Sequence, residues 1–110
     1  MDDKVCALST STGSGALAII RASGVDCLLP LKAFFSISKA REKTDWKGHR
    51  AYFGTIGEED NTIDEVLLTT FLAPHSFTGE DSFEISCHAS SYIVQQILAL
   101  LMRHGFRMAR

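Results

Sequence analysis

Paired cysteines are absent from this 110-residue sequence, which contains only Cys6, Cys27 and Cys87. An odd number of widely spaced cysteines without a C-x-x-C motif argues against a disulfide framework. Each cysteine lies among apolar residues, so we expect three buried free thiols. Such cysteine usage is typical of a protein in the reducing cytoplasm.

The sequence also lacks a long hydrophobic run. Its longest apolar stretch lies within residues 92–102 and is interrupted by Gln95 and Gln96, which makes it too short to span a bilayer. The N-terminus has neither the cationic start nor the apolar segment of a signal peptide. These absences predict a cytoplasmic protein that has no membrane partner.

There is little excess of charge of either sign, since the formal net charge is −2 and the sequence pI is about 6.0. Dedicated nucleic-acid-binding domains usually carry a basic excess, so this balance argues against one. One small basic cluster occurs near the C-terminus, and we predict that it is a solvated surface. It comprises Arg103, His104, Arg107 and Arg110.

Nucleotide-binding and metal-binding motifs are missing as well. The Gly13-Ser14-Gly15 turn is followed by no Lys, so it does not match the G-x-x-x-x-G-K-S/T phosphate loop. The four histidines lack zinc-ligand spacing, which predicts no metal site. Cys87 and His88 are adjacent in a predicted strand and point to opposite faces, so they do not form a nucleophilic pair. No catalytic residue is predicted.

What is present is the composition of one packed domain, with 45% apolar and 22% charged residues. Alternating or apolar segments predict strands, and the i, i+4 apolar stripe of residues 91–104 predicts a helix with Ser90 as N-cap and Gly105 as its stop. A second helix is predicted over residues 25–37, beginning or bending near Pro30. The predicted strands cover residues 4–8, 16–22, 49–57, 62–72 and 82–88, with a possible further strand over 106–109. This order predicts an α+β fold: a mixed, largely antiparallel sheet with helices packed on one face.

Two charged residues stand out within these strands. Arg21 continues the face of Leu17 and Ile19, and Glu84 lies between Phe83 and Ile85. A buried guanidinium is costly unless it is paired, so Arg21 is either on an exposed sheet face or in a binding site, and the same alternatives apply to Glu84. The turn-rich segment 73–81 is either a plain connection or the rim of a small-molecule site.

Several segments of the chain, in the same order, are similar to motifs of the MnmE (TrmE) family of tRNA-modifying GTPases. Residues 18–24 resemble its G-I-I-R-I/V-S-G, residues 63–67 match its I-D-E-V-L, and residues 73–81 resemble its A-P-x-S-F/Y-T-G-E-D. The resemblance covers almost the whole chain. It implies that residues 1–110 are the N-terminal folate-binding and dimerisation domain, with a fold like that of aminomethyltransferases. The abrupt end at Arg110 suggests a cut through a longer protein, and the resemblance implies that this protein also carries a helical domain with an inserted G domain.

The resemblance further implies a function. The domain would bind 5-formyltetrahydrofolate or 5,10-methylenetetrahydrofolate, and Arg21 and Glu84 fall on folate-contacting positions. It would form a homodimer, and the parent protein would modify C5 of the wobble uridine of tRNA together with the flavin-dependent partner MnmG (GidA). GTP would bind only through the missing G domain, so the present domain alone is not expected to be catalytic.

Two loops depart from the family pattern. The first loop, residues 10–16, lacks the family's proline and Arg, and the family's H-G-G-P is here His88-Ala89-Ser90-Ser91. Losing glycines can narrow the room for a ligand to approach the backbone. An alternative is therefore a dimerisation module that has lost folate binding.

Overall fold

A seven-stranded sheet forms the body of the computed structural model, which describes residues 3–9, 16–37, 49–73 and 79–109. Within this part of the chain, the strand order in the sheet is β3-β4-β5-β6-β2-β1-β7. The elements are β1 (Lys4–Leu8), β2 (Leu17–Ser23), α1 (Leu31–Phe34), β3 (Phe35–Ile37), β4 (Arg50–Glu58), β5 (Asn61–Phe71), β6 (Ser82–His88), α2 (Ser91–Arg103) and β7 (Phe106–Met108).

The sheet is mixed and largely antiparallel, as the sequence predicts. β7 pairs with β1 in parallel, and the other neighbouring strands pair antiparallel. β4 and β5 form the predicted hairpin, in which Glu58 and Asn61 face each other across the turn. The register shifts at Gly57, whose φ is +155°. A Cβ atom there would lie 2.2 Å from the Asn61 carbonyl oxygen, so this close crossing requires glycine.

The hydrophobic core lies between one face of the sheet and the helices, which confirms the predicted layers. α2 begins at its N-cap Ser90, whose hydroxyl accepts from the Ile93 N–H at 3.3 Å. It ends before Gly105, where φ is +99°. The Phe34 ring at the end of α1 lies 4.9 Å from the His104 ring, so both helices share one face. Alternate strand residues face the same core, including Ile20, Ile56, Leu68, Phe83 and Ile85, all 0% exposed.

The prediction of a helix over residues 25–37 is wrong. Only one turn, Leu31–Phe34, is helical, and Phe35–Ile37 form the edge strand β3. Pro30 starts this turn because its ring fixes the φ angle at a helical value. Its missing N–H costs nothing there, since N–H groups in the first turn of a helix have no partner within the helix. The chain then becomes extended because β3 pairs with β4, where Ile37 lies opposite Gly54. A Cβ on Gly54 would lie 2.0 Å from the Ser36 carbonyl oxygen, so glycine permits the pairing.

The three cysteines are buried free thiols, as predicted. Burial raises the pKa of Cys27 to about 12 and that of Cys87 to about 11, which leaves them protonated and unreactive. Helices in the described ranges are too short or too polar to cross a membrane. Three sequence-based predictions fall outside the described residues: the glycine turn at 13–15, the loop at 38–48 and the centre of the 73–81 motif, residues 74–78.

Carboxylates pair with the basic residues near the C-terminus. Arg107 Nη2 lies 2.6 Å from Asp3 Oδ2. Glu58, at the β4–β5 turn, accepts from Arg103 Nη2 at 2.9 Å and lies 2.8 Å from His104 Nε2. The hydrogen bond from His104, and to a smaller extent that from Arg103, lowers the pKa of the Glu58 carboxyl. These pairs support the prediction of a solvated surface over a phosphate-binding patch, while Arg110 lies outside the described residues.

The Glu58 contacts predict a pH-dependent contribution to stability. A carboxyl whose pKa is lower in the folded state stabilises the fold at neutral pH, and this contribution is lost as the pH falls through the folded pKa. We expect Glu58→Gln to lower the thermal midpoint at pH 7, with the difference shrinking as the pH falls below about 4.5, the ordinary value for this group. Thermal unfolding followed by circular dichroism checks this. Glu59→Gln, in the same turn, is the matched control. If the thermal midpoints of the wild type and Glu58→Gln differed as much at acid pH as at pH 7, the stabilising role assigned to the ionised Glu58 carboxyl would be wrong.

Candidate functional site

Arg21 and Glu84 form an ion pair on the sheet face opposite the helices. They are Cα partners in the β2–β6 ladder, and Glu84 Oε2 accepts from Arg21 Nε at 2.9 Å and from Nη2 at 2.6 Å. Their side chains are 42% and 19% exposed. Sequence reasoning singled out both residues. The structure shows that strand pairing brings them together, 63 positions apart in the chain.

The pair retains capacity to bind a ligand. Both hydrogen bonds from Arg21 fall on Glu84 Oε2, and among the described residues no hydrogen bond reaches Oε1. Ser82 lies two residues earlier on the same face of β6, and its buried hydroxyl has no hydrogen-bond partner. An ionised carboxylate accepts hydrogen bonds on both oxygens. The arrangement therefore suits a polar ligand edge that presents hydrogen-bond donors.

The two ends of the 73–81 motif lie close together, next to the ends of the strands that carry this pair. The Asp81 carboxylate accepts from the Ala73 N–H at 3.0 Å. The Asp81 carbonyl accepts from the Gly24 N–H at 3.1 Å and from the Cys27 thiol at 3.2 Å. Gly24 follows Arg21 by three residues, and Asp81 precedes Glu84 by three. Asp81 thus anchors both chain segments that lead to the ion pair.

A second polar pair, which sequence reasoning missed, joins β5 to the end of β6. The Asp64 carboxylate accepts from the His88 backbone N–H at 3.0 Å, and its two oxygens lie 2.9 and 3.0 Å from His88 Nδ1. The Asp64 side chain is only 10% exposed, whereas that of His88 is 66% exposed. Asp64 belongs to the I-D-E-V-L match, and His88 is the retained first residue of the family's H-G-G-P. These matches were the only signal in the sequence that could have pointed to the pair.

An apolar depression of about 240 Å³ lies beside His88. Leu17, Phe53 and Leu67 are each roughly half exposed there, on the same face as Arg21 and Glu84. This face therefore presents large apolar side chains to solvent next to polar groups, which is the usual composition of a small-molecule site. The depression is lined by Leu17, Phe53, Glu65, Val66, Leu67, Ser86, Cys87 and His88.

No group of three or more His, Cys, Asp or Glu side chains suited to hold a metal ion occurs among the residues that the structure describes. His88 and Cys87 point to opposite faces of β6, as the sequence predicts, because Cys87 is buried in the core and His88 is exposed. The outer face presents the Arg21–Glu84 ion pair, the His88 ring and exposed apolar side chains.

Comparison with known proteins gives a consistent result. The sequence matches the family described as GTP-binding protein TrmE N-terminus over residues 4–110. It is 46% identical over 107 residues to the tRNA modification GTPase MnmE of Flavobacterium johnsoniae, covering 97% of this chain and 23% of that protein. The protein of the same name from Bacteroides thetaiotaomicron is 45% identical over 109 residues, with 98% and 23% covered. The chain thus spans about a quarter of the length of these curated relatives.

Proposed function

The chain belongs to the family of the TrmE N-terminus, and from this premise we propose that it is the folate-binding and dimerising module of a tRNA modification GTPase. Its ligand is a one-carbon tetrahydrofolate, either 5-formyltetrahydrofolate or 5,10-methylenetetrahydrofolate. Its fold class would then be that of the folate-binding domains of aminomethyltransferases. The observation that carries this proposal is the Arg21–Glu84 pair on the open face of the sheet.

The residues present fit a pterin. A pterin edge carries an amino group and a ring N–H side by side, and a carboxylate accepts two such parallel hydrogen bonds. Glu84 Oε1 has no other hydrogen bond among the described residues. Arg21 holds the carboxylate in place through two hydrogen bonds to Oε2, and a planar guanidinium is a group suited to recognise a ligand oxygen. The unpartnered Ser82 hydroxyl adds a further polar group on this face.

The names of the relatives and the family support a proposal for the activity of the whole protein. In this proposal, residues 1–110 supply the folate site and the dimer contact, while a helical domain and an inserted G domain elsewhere in the protein bind and hydrolyse GTP. Together with the flavin-dependent partner MnmG and tRNA, the assembly modifies C5 of the wobble uridine, and folate supplies the one-carbon unit. The domain described here is a binding module within that enzyme.

The direct test is calorimetric titration with 5-formyltetrahydrofolate, paired with thermal unfolding. A ligand that binds only the folded state stabilises it by RT ln(1 + [L]/Kd), or about 2.7 kcal/mol at a hundredfold excess over Kd. We expect saturable binding and a matching rise in the thermal midpoint. Absence of both effects in the folded protein would reject the folate-binding proposal.

We also expect a homodimer. In the described ranges, eight large apolar side chains are at least 40% exposed, among them Leu29, Tyr92 and Met102. A small domain with this much exposed apolar surface gains free energy by covering part of it. Sedimentation equilibrium at micromolar concentration should show a dimer of the 12.1 kDa chain. A strict monomer under these conditions would contradict the expectation, whereas a weak dimer would support it.

The alternative is a dimerisation module that does not bind folate. Two observations favour it: Arg21 and Glu84 pair with each other without a ligand, and Ser90 stands where the family has glycine. The structure gives Ser90 a separate purpose as the N-cap of α2, which stabilises the helix without a ligand. A folded dimer that fails to bind 5-formyltetrahydrofolate would select this alternative.

A further inference from the structure

We propose that the apolar depression beside His88 is a second subsite, which takes an aromatic ring that carries a neutral hydrogen-bond donor. This inference rests on the proposed folate function, and the group it assigns to the depression is the benzamide that follows the pterin in a folate. The depression receives the ring, and His88 Nε2 accepts a hydrogen bond from the amide N–H.

The contact with Asp64 determines which ring nitrogen of His88 can accept a hydrogen bond from a ligand. Both oxygens of a carboxylate are acceptors, so the ring nitrogen 2.9–3.0 Å away, Nδ1, carries the proton. In the neutral ring this leaves the lone pair on Nε2. Among the described residues Nε2 has no hydrogen-bond partner, and the side chain is 66% exposed. Asp64, itself 10% exposed and bonded to the His88 N–H, therefore orients an acceptor toward solvent at the rim of the depression.

Charge selects a neutral ligand group over an anionic one. Glu65 lines the same depression, and the Asp64 carboxylate lies behind His88. A ligand carboxylate placed here would meet two negative side chains, which is unfavourable at short range. An amide N–H suffers no such penalty and matches the acceptor on His88. The charged glutamate of a folate would extend past His88 into solvent.

The spacing of the two sites suits one ligand. Along β6, Ser86 is two residues and His88 four residues from Glu84, which corresponds to roughly 7 and 13 Å at the rise of an extended strand. All three side chains are on the same face. Ser86 pairs across the sheet with Ile19 and Leu67. Because its side chain is shorter than those of these apolar neighbours, it leaves the depression between them. In a folate, a short methylene-amino link joins the pterin to the benzamide, so both rings can contact this face together.

Three variants and one control test the subsite. Ser86→Ile fills the depression with a β-branched side chain, a type that strands favour. His88→Ala removes the Nε2 acceptor. His88→Gln keeps a side-chain acceptor. Thr62→Ile, at an exposed position of β5 away from the depression, is the matched control. Each protein is titrated with 5-formyltetrahydrofolate, with 6-methyltetrahydropterin, which lacks the benzamide, and with N-methyl-4-(methylamino)benzamide. The ¹⁵N signals of the His88 ring are recorded by NMR in every titration.

We expect His88→Ala to lower the affinity for 5-formyltetrahydrofolate roughly three- to tenfold, which is the usual effect of losing a neutral hydrogen bond. Ser86→Ile should weaken it by at least as much, and His88→Gln and Thr62→Ile by less. The benzamide probe should shift the His88 Nε2 signal in the wild type but not in Ser86→Ile. With the pterin probe, these differences between proteins should disappear.

Several results would overturn the subsite. If the wild type binds the folate and both Ser86→Ile and His88→Ala bind it equally well, the subsite is wrong although the proposed function stands. If the wild type binds no folate, the proposed function fails, and the benzamide probe then decides alone: a His88 shift that Ser86→Ile abolishes supports the subsite, and no shift rejects it. Variants that change the sedimentation of the dimer without changing ligand affinity would make this face a contact between copies of the chain and would also reject it.

Discussion

Glu84→Gln is expected to weaken 5-formyltetrahydrofolate binding by roughly 30-fold to several thousandfold. Removing one charged partner from a buried hydrogen-bonded contact typically costs about 2–5 kcal/mol of binding free energy. Glutamine keeps one acceptor but places an NH₂ donor against the donors of a pterin edge, and the charge-assisted bonds are lost. Since Glu84 is 19% exposed and bonded to Arg21, a bound ligand would remove most of the remaining water.

The same substitution should leave the domain folded. Arg21 is 42% exposed, and solvent-exposed ion pairs contribute only about 0–1 kcal/mol to stability. Arg21→Lys is the matched variant: it keeps the positive charge and loses the planar fork, so a smaller loss of affinity is expected. Calorimetric titration of the three proteins, with circular dichroism as the folding control, makes the comparison. Wild-type affinity in folded Glu84→Gln would remove Glu84 from the site.

Phe83→Ala is expected to cause the largest loss of stability, about 3–5 kcal/mol, which is the usual cost of truncating a buried Phe. Phe83 is 0% exposed and contacts the Phe106 ring edge-on at 5.9 Å. Its strand lies between β5 and β2, so the cavity would open in the middle of the sheet. This loss is a large part of the 5–15 kcal/mol typical of a whole domain.

Phe53→Ala is the control for this change, because it removes the same atoms from a side chain that is about half exposed. Surface substitutions usually change stability by less than about 0.5 kcal/mol. Urea unfolding of both variants, monitored by circular dichroism, measures the difference. Equal losses for Phe53→Ala and Phe83→Ala would show that the core does not lie on the helix side of the sheet.

Elements with a strong local pattern were predictable from the sequence. β6 alternates between apolar and polar residues because one face is buried and the other is open. α2 carries the apolar stripe of a helix packed on a sheet, with Ser90 and Gly105 at its ends. The β4–β5 hairpin follows from two strand patterns joined by a short polar turn. In each case the pattern that predicts the element is carried by residues close together in the chain, although the partners of β6 in the sheet are distant in sequence.

The segment around Pro30 shows where local patterns fail. Its apolar residues match helical spacing up to Ile37, yet Phe35–Ile37 form a strand. That outcome depends on pairing with β4, some twenty positions away, and on the absence of a side chain at Gly54. A helical turn of four residues gains little by itself, since helix nucleation is unfavourable. Tertiary pairing therefore overrode the local preference.

Residue types and their alternation were enough to identify Arg21 and Glu84 as unusual charges in strands and to carry the family motifs. The contact between Arg21 and Glu84, and the contact of Asp64 with His88 across 24 positions of the chain, became visible only in the folded chain. Residue type and alternation are local properties, so they can be read along the chain. Strand order and register depend on the packing of the whole core, because shifting one strand by a single residue would turn its apolar face to water.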